Sequence, residues 1–266
     1  MAYTYYEPPG LMTALGILEN GRRLLAPMTI AIVVPTVNER ENIEQLLPRT
    51  IEILSKSGLD SHIFIIDDES SDGTAEAAEK IDSGRGLVHV IRRRGKRGLG
   101  SAYKDAFKLV LESSYDAAVQ MDADLSHDPI YLPQFFRYIS EGYDLVIGSR
   151  YVPGGSIPDW KIYRRFISRT MNGLVRLLLG INVRDCTSGY RAYSIRALRV
   201  IDMDNVRSDG YAFQVEMTML CEKAGLRIVE LPITFLDRQR GKSKLSRKEM
   251  WNFVKSILNL ASSRRC

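Results

Sequence analysis

The chain has 266 residues, of which 45% are hydrophobic and 26% are charged, a composition that excludes an intrinsically disordered chain, a collagen or a coiled coil. The positive charge of the chain is concentrated in two segments, 92–97 and 237–248, each with a net charge of +5. The remaining residues carry a net charge of −5, so the whole chain has a net charge of +5. This distribution predicts two local anion-binding loops and argues against a nucleic-acid-binding surface.

The predicted elements begin with an N-terminal extension over 1–28 that contains a short amphipathic helix at 11–18. We expect this helix either to lie at a membrane surface or to dock on the domain. From residue 29, short β-branched runs alternate with helical stretches. Strands are predicted at 29–34, 63–66, 87–91, 117–121 and 145–149, and helices at 41–57, 74–82, 101–112 and 129–141. This alternation predicts an α/β fold with a mostly parallel sheet that is flanked by helices and buried on both faces.

The second half of the chain is less regular. Helices are predicted at 162–179, 211–224 and 247–260, and strands at 189–193 and 227–231. One domain is therefore expected over 29–245, followed by a C-terminal amphipathic helix and tail over 246–266. Three widely spaced cysteines predict a reducing compartment, and no stretch reaches the roughly 18 apolar residues that span a bilayer.

Polar clusters directly follow four of the predicted strands, and a fifth cluster ends the strand at 145–149. They occupy 35–39, 67–74, 92–100, 122–124 and 148–150. Because ligands of parallel α/β sheets bind beyond the carboxyl ends of the strands, the five clusters are expected to form one site. The sequence has neither a dinucleotide-binding glycine pattern nor a phosphate-binding P-loop, which disfavours both of those site classes.

Asp122 and Asp124 form a DxD motif at the end of a buried strand. Two such carboxylates suit a hard divalent cation, Mg²⁺ or Mn²⁺, with its bound diphosphate. The alternative is a helix N-cap, which fits Asp128 better because Pro129 follows it. Asp68 is similarly placed to accept a hydrogen bond from a nucleobase, in a pocket with Glu39, whereas Asp72 is expected to cap a turn.

Three segments, Pro-Thr-Val-Asn-Glu-Arg-Glu-Asn at 35–42, Asp-Asp-Glu-Ser-Ser-Asp-Gly-Thr at 67–74 and Asp-Ala-Asp-Leu-Ser-His at 122–127, resemble the opening blocks of the inverting family-two glycosyltransferases. Later blocks at 148–151, 164–168, 185–191 and 237–245 resemble the dolichol-phosphate (polyprenyl-phosphate) mannosyltransferases within that family. The resemblance covers roughly residues 29 to 260. It implies a GT-A fold and inverting transfer of mannose from GDP-mannose to dolichyl or polyprenyl phosphate.

The resemblance also implies roles for individual residues. The nucleotide pocket would contain Pro35, Val37, Glu39, Ile66 and Asp68, and the metal–diphosphate site would contain Asp122, Ala123 and Asp124, with Ser126 in a third ligand position. The lipid-phosphate site would contain Arg150, Arg164 and Ser168, and a mobile loop with Arg238 and Lys244 would close over the donor sugar nucleotide. Asp124, Arg150, Arg238 and Lys244 are the residues expected to act in the transfer, the last three also as contacts of the donor.

The chemistry of such an acceptor agrees with these residue types. A phosphate is already ionised at neutral pH, so its attack on a sugar needs no general base, while guanidinium groups bind it bidentately. The enzyme is expected at the cytoplasmic face of the plasma membrane or the endoplasmic reticulum, attached peripherally or through an integral-membrane partner. Two other functions stay open: a glucosyltransferase that uses UDP-glucose and a non-catalytic nucleotide-sugar-binding subunit.

Two further features leave their roles open. The basic run 92–97 is expected either to be solvated or to lie near the acceptor phosphate or anionic lipid head groups. The aromatic residues Tyr151, Trp160, Tyr163 and Phe166 are expected either to belong to the core or to line a groove for the lipid chain.

Overall fold

A computed structural model of the chain describes residues 18–19, 22–23, 28–95, 98–237 and 247–263. Strands β1 (Leu18–Glu19) and β2 (Arg22–Arg23) form a small antiparallel pair. Of the helix predicted at 11–18, only Leu18 is described, and it begins β1; residues 11–17 lie outside the described residues.

The main sheet has seven strands. They are β3 (Thr29–Thr36), β4 (Asp60–Asp67), β5 (Val88–Arg92), β6 (Ala117–Gln120), β7 (Leu145–Ser149), β8 (Arg191–Ser194) and β9 (Ile228–Pro232). Their order is β5-β4-β3-β6-β8-β7-β9, and β8 runs antiparallel to both of its neighbours while all other pairings are parallel. The prediction of a mostly parallel α/β sheet is confirmed.

Eight α-helices of the described residues connect or flank these strands. They are α1 (Arg40–Ser57), α2 (Thr74–Asp82), α3 (Leu99–Glu112), α4 (Leu132–Ser140), α5 (Ile162–Leu179), α6 (Ile195–Val200), α7 (Gly210–Lys223) and α8 (Arg247–Ser263). The helix predicted at 129–141 divides into a 3₁₀ turn, Pro129–Tyr131, and α4. Helix α6 was not predicted, because its six residues directly follow β8 and show too little periodicity to be recognised.

Two apolar clusters bury the two faces of the sheet. Alternate residues of β3 point to opposite sides, so Ala31 and Val33 join one cluster while Ile30, Ile32 and Val34 join the other. Helices α3 and α7 cover the first face, and α1 and α4 cover the second. Burial on both faces explains why the strands read as continuous apolar runs.

Helix α5 is exceptional because most of its large apolar side chains face solvent. Ile162, Phe166 and Leu177 are 84%, 70% and 81% exposed, whereas its buried residues are Asn172, Val175 and Leu179. The alternative that Tyr163 and Phe166 belong to the core is therefore wrong. No helix among residues 28–95, 98–237 and 247–263 is both long and apolar enough to cross a membrane.

The two described cysteines are expected to be chemically inert in the folded protein. Burial raises the pKa of both the Cys186 and the Cys221 thiol from 9.0 to about 12. At pH 8 this shift lowers the thiolate fraction by about 1,000-fold. In a Cys266→Ser variant, we expect a thiol-reactive dye to label almost no cysteine in native buffer and both cysteines in denaturant. Rapid labelling in native buffer would contradict the buried positions.

Candidate active site

The loops after β3, β4, β5, β6 and β7 meet at one edge of the sheet, as the strand order requires. Because β8 is antiparallel, its amino end brings the preceding segment 185–190 to the same edge. Three of these loops contain a non-glycine residue in the left-handed backbone region: Asn38 (φ 54°), Glu69 (φ 55°) and Leu125 (φ 66°). Such conformations cost free energy and cluster at functional sites, which supports this edge as the site.

The DxD motif lies at the centre of this edge. The Asp124 carboxylate is nearly buried, and its Oδ1 accepts hydrogen bonds from the Ser126 backbone N–H (3.1 Å) and from Ser126 Oγ (2.5 Å). The side chain of Asp122 is 34% exposed, and its Oδ1 accepts from the Tyr103 hydroxyl at 3.2 Å. Asp128 caps the following 3₁₀ turn through the Ile130 N–H (2.9 Å), as predicted.

The donor set of this motif fits a divalent cation that a substrate helps to hold. Among the residues that the structure describes, no group of three or more His, Cys, Asp or Glu side chains is arranged around a common point. Two carboxylates are nevertheless the usual protein contribution to a Mg²⁺ ion whose other ligands are diphosphate oxygens and waters. Ser126 supports Asp124 directly through its hydroxyl, whatever its role toward the cation.

His127 is a buried part of the same site. Its Nδ1 accepts a hydrogen bond from the Asp122 backbone N–H at 2.9 Å, and its ring stacks on Tyr190 with a centroid distance of 4.8 Å. Burial lowers the pKa of His127, so the imidazole is neutral at pH 7. With Nδ1 occupied as an acceptor, the proton lies on Nε2 and the ring serves as support rather than as a base.

The predicted nucleotide pocket contains a buried ion pair that the sequence analysis missed. Asp68 is held bidentately by Arg93, with its carboxylate oxygens 2.6 Å from Nε and 2.7 Å from Nη2. Arg93 also donates to Asp105 and to the Ser101 hydroxyl, both at 3.0 Å. Asp68 therefore carries an arginine partner, and any contact with a nucleobase would add to this ion pair.

This ion pair removes Arg93 from the basic run 92–97 that was expected to be solvated or to lie near a phosphate, whereas Arg92 and Arg94 are exposed. Arg93 is buried, and Arg92 pairs with Glu76 and Glu79 at 3.2 and 2.5 Å, so two of the five cations are neutralised within the fold. Lys96 and Arg97 lie outside the described residues. Glu39, the other acidic residue predicted for the nucleotide pocket, accepts a hydrogen bond from Asn42 Nδ2 at 2.6 Å at the start of α1.

A second buried ion pair lies on the other side of the DxD motif. Arg150 donates from Nε and Nη2 to the two carboxylate oxygens of Asp185, both at 2.7 Å, and from its backbone N–H at 3.0 Å. Asp185 is fully buried and held in turn by its own backbone N–H, which donates to Glu230 at 2.9 Å. Burial alone would raise the pKa of Asp185, but attraction to Arg150 and the hydrogen bonds outweigh it and lower the pKa below 3.8.

An arginine–aromatic cluster surrounds this pair and consists of Arg150, Tyr151, Trp160, Arg164 and Phe235. The Arg150 guanidinium lies 5.3, 5.9 and 5.4 Å from the ring centroids of Tyr151, Trp160 and Phe235, and that of Arg164 lies 4.0 Å from Trp160. Phe235 also contacts the DxD segment, since its centroid lies 5.9 Å from that of His127. The cluster is therefore contiguous with the predicted metal site.

Ser168 and Arg164 of α5 reach the same cluster. The Ser168 hydroxyl lies 2.6 Å from the Tyr151 hydroxyl, and Arg164 donates to Asp237 at 2.8 Å. The structure thus brings together Arg150, Arg164 and Ser168, the three residues predicted to bind a lipid phosphate. Arg238 and Lys244 lie outside the described residues.

Comparison with known proteins decides the family. Residues 31–202 match the model for "Glycosyl transferase family 2". The chain belongs to this family.

Relatives in the glycosyltransferase family confirm the more specific resemblance. The chain is 44% identical over 219 residues (82% of this chain, 88% of the relative) to an undecaprenyl-phosphate mannosyltransferase of Micrococcus luteus. It is 42% identical over 218 residues (81% and 80%) to a polyprenol monophosphomannose synthase of Mycolicibacterium smegmatis. It is also 38% identical over 235 residues (88% and 64%) to a dolichol-phosphate mannosyltransferase of Pyrococcus furiosus.

Solved structures confirm the GT-A-like fold. Glucosyl-3-phosphoglycerate synthase from Mycobacterium tuberculosis in complex with UDP superposes with a TM-score of 0.65 at 20% identity, over 97% of this chain and 87% of that chain. The same protein in complex with Mn²⁺, UDP-glucose and phosphoglyceric acid gives a TM-score of 0.65, over 97% and 86%. At this identity the likeness concerns the fold alone.

The glycosyltransferase site contains supporting residues to which the sequence analysis assigned no role. Arg191 is fully buried and donates to the carbonyls of Ser188 (2.7 Å), Cys186 (2.8 Å) and Gln214 (2.8 Å), which organises the segment before β8. Asp185 was noted only within a matching block. The signal available for Arg191 was its position within the predicted strand 189–193, where a charge is rare unless it is paired or hydrogen-bonded. Asp185 lies among polar residues, so its sequence position gave no such signal.

Proposed function

We propose that this glycosyltransferase is an inverting, metal-dependent enzyme that transfers mannose from GDP-mannose to dolichyl or polyprenyl phosphate. The observation that carries the proposal is the contiguity of two unlike sites. His127 lies beside the Asp122 carboxylate and contacts Phe235, and Phe235 in turn contacts the Arg150 guanidinium of the arginine–aromatic cluster. One site suits a metal-bound diphosphate and the other suits an acceptor phosphate, which are the two anions that the reaction must bring together. Three relatives are named undecaprenyl-phosphate mannosyltransferase, polyprenol monophosphomannose synthase and dolichol-phosphate mannosyltransferase, and these names support the choice of substrates.

In the proposed donor site, Asp122, Ala123 and Asp124 hold the diphosphate and its Mg²⁺ or Mn²⁺, with Ser126 beside them. When bound, the cation supplies positive charge that stabilises the departing diphosphate. Pro35, Val37, Glu39, Ile66 and Asp68 form the nucleoside pocket at the ends of β3 and β4. Arg238 and Lys244 close over the donor and add positive charge to the leaving group.

In the proposed acceptor site, Arg150, Arg164 and Ser168 hold the lipid phosphate. Asp185 accepts from Nε and Nη2 of Arg150, and Thr187 Oγ1 also accepts from Nη2 at 3.0 Å, so the Nη1 group is the donor that a phosphate would use. A phosphate oxygen attacks the anomeric carbon from the face opposite the diphosphate, the bond from that carbon to the diphosphate oxygen breaks, and GDP leaves with the electron pair. The acceptor is already ionised, so no side chain needs to remove a proton, in keeping with the supporting position of His127.

A donor screen tests this proposal. The full chain is incubated with GDP-mannose, UDP-glucose or UDP-N-acetylglucosamine and a polyprenyl phosphate, with Mg²⁺, Mn²⁺ or EDTA. We expect a mannosyl phosphoryl lipid from GDP-mannose alone, loss of product with EDTA, and a β anomer by NMR. Product from UDP-glucose would favour the glucosyltransferase function, and binding of a sugar nucleotide without any product would favour a non-catalytic subunit.

We further propose that residues 29–245 form the catalytic domain and that α5 attaches it to the cytoplasmic face of the plasma membrane or endoplasmic reticulum. Helix α5 presents a solvent-exposed apolar face and contains four arginines and no acidic residue. It also supplies Arg164 and Ser168 to the proposed acceptor site, which must receive a lipid whose chain stays in the bilayer. An amphipathic helix of this kind binds the interface of an anionic membrane.

Membrane binding is therefore expected to depend on the exposed face of α5. Replacing Phe166 and Leu177 together with Glu removes two apolar contacts and adds repulsion, so we expect binding to phosphatidylglycerol-containing vesicles to fall by about tenfold or more. A Val200→Glu variant, at a half-exposed position on α6, is the matched control and should bind normally. Co-sedimentation measures the binding. Unchanged binding of the double variant would instead favour an integral-membrane partner.

A further inference from the structure

Helix α3 supplies a hydrogen bond to the carboxylate of Asp122. The Tyr103 hydroxyl donates to Asp122 Oδ1 at 3.2 Å, across 19 residues of sequence. We infer that Tyr103 is a positioning residue that orients Asp122 for the divalent cation and diphosphate. This inference rests on the proposed function of the DxD motif.

The Tyr103 ring has little freedom to move. It is fully buried and lies between Phe107 and Phe213, with centroid distances of 6.0 and 6.1 Å and interplanar angles of 25° and 11°. A phenol buried in this way retains a hydrogen-bond partner, since an unsatisfied hydroxyl costs roughly 1–3 kcal/mol. The hydroxyl is therefore delivered to Asp122 at a position that the core packing sets.

The backbone of Asp122 is held by His127. The Asp122 backbone N–H donates to His127 Nδ1, and His127 Nε2 lies 4.0 Å from Asp122 Oδ2. One carboxylate oxygen of Asp122 is hydrogen-bonded to Tyr103 of α3, and the Asp122 backbone is hydrogen-bonded to His127. The exposed part of the carboxylate therefore faces the site in a single orientation.

Helix α3 supports the proposed base pocket as well. Asp105, two residues after Tyr103, receives the hydrogen bond from Arg93 that accompanies the Arg93–Asp68 pair. One rigid helix thus positions a carboxylate of the metal site and the ion pair of the nucleotide pocket. Hydrogen bonds to residues that bind a metal fix the orientation of those residues beforehand, so less conformational entropy is lost when the metal binds. Removing such hydrogen bonds commonly costs 10- to 100-fold in metal affinity.

The test compares two buried tyrosines in the full-length chain. Tyr103→Phe removes the hydroxyl and keeps the stacked ring, whereas Tyr193→Phe removes a fully buried hydroxyl whose neighbour, at 3.4 Å, is Arg191. The dissociation constant of Mn²⁺ is measured by calorimetry with GDP present, and thermal unfolding is followed in parallel. We expect Tyr103→Phe to raise the constant by about tenfold and Tyr193→Phe to leave it within twofold of the unaltered chain. In turnover assays, the metal concentration for half-maximal rate should rise for Tyr103→Phe, with kcat at saturating metal little changed.

The outcomes separate the inference from the function on which it rests. If the unaltered chain binds no Mn²⁺ with GDP or, in a parallel titration, with UDP, the metal assignment of the DxD motif is wrong and the inference is lost with it. If the unaltered chain binds Mn²⁺ and Tyr103→Phe binds it equally well, only the inference is overturned. Equal weakening by both tyrosine variants would also overturn it, because the cause would then be core packing.

Discussion

Asp124→Asn is expected to lower mannosyl transfer by about 10³-fold or more while the protein stays folded. The amide keeps the shape of the carboxylate and an oxygen for the two hydrogen bonds from Ser126, but it removes the negative charge that a divalent cation requires. A cation at a departing diphosphate is worth several kcal/mol of transition-state stabilisation, and about 4 kcal/mol corresponds to 10³ in rate. Initial rates at saturating GDP-mannose, with Mn²⁺ binding measured separately, provide the test.

The control for this variant is Asp128→Asn, four residues further along. Asp128 caps a 3₁₀ turn and pairs with Arg49 at 2.8 Å, so its replacement should lower stability by about 1 kcal/mol and change turnover by less than tenfold. A rate for Asp124→Asn within tenfold of the unaltered chain would rule out Asp124 as a ligand of a catalytic cation. Equal loss in both variants would point to collapse of the loop instead.

Arg150→Met is expected to destabilise the fold by about 3–5 kcal/mol, because it leaves the Asp185 carboxylate buried without its partner. Asp185→Asn should have an effect of the same sign. The double variant, which combines Arg150→Met with Asp185→Asn and so removes both charges, should recover much of the lost stability, since a buried ion pair removed as a whole is often nearly neutral. Urea unfolding of the four proteins yields the coupling free energy.

Measuring turnover distinguishes a catalytic role of Arg150 from a structural one. We expect the double variant to fold and still lose mannosyl transfer, because the guanidinium that would bind the acceptor phosphate is absent. The exposed pair Arg137–Glu141, at 2.8 Å, is the control for charge removal, and Arg137→Met should change stability by less than about 1 kcal/mol. Normal turnover of the double variant would confine Arg150 to a structural role.

The Arg150–Asp185 ion pair is also expected to make the stability of the fold depend on pH. The pKa of the Asp185 carboxyl lies below 3.8 in the folded state. The ionised carboxylate therefore contributes its full stabilisation of the fold above pH 3.8, and this stabilisation is lost as the pH falls through the lower pKa of the folded state. The difference in unfolding free energy between the unaltered chain and Asp185→Asn should therefore be constant from pH 5 to 7 and should narrow in stronger acid.

Local sequence was sufficient to predict most elements of the sheet and the edge of the sheet at which the candidate residues lie. The strands could be predicted because β3, β6 and β7 have continuous apolar centres, which is the pattern that burial on both faces imposes. The DxD motif could be located because it follows β6 directly, and parallel strands place their carboxyl ends together. Sequence blocks also indicated the family, which the matching of residues 31–202 confirms.

Partnerships between distant residues required the three-dimensional structure. Asp68 lies 25 residues from Arg93, and Arg150 lies 35 residues from Asp185, so no periodicity connects them. Sequence alone presented Arg93 as one member of a basic run, whereas folding buries it against two carboxylates. The exposure of α5 was equally unpredictable, because an apolar stripe on a helix looks the same whether it meets the core or solvent.

The charge distribution of this chain illustrates what the sequence and the tertiary structure each determine. The amino-acid sequence by itself determined that +5 resides in 92–97 and another +5 in 237–248, since charge is a property of composition. Only the tertiary structure decided that Arg92 and Arg93 of the first segment are neutralised by acidic partners. Pairing depends on distances of a few ångströms between side chains that the sheet brings together, and those distances arise only when the whole domain packs.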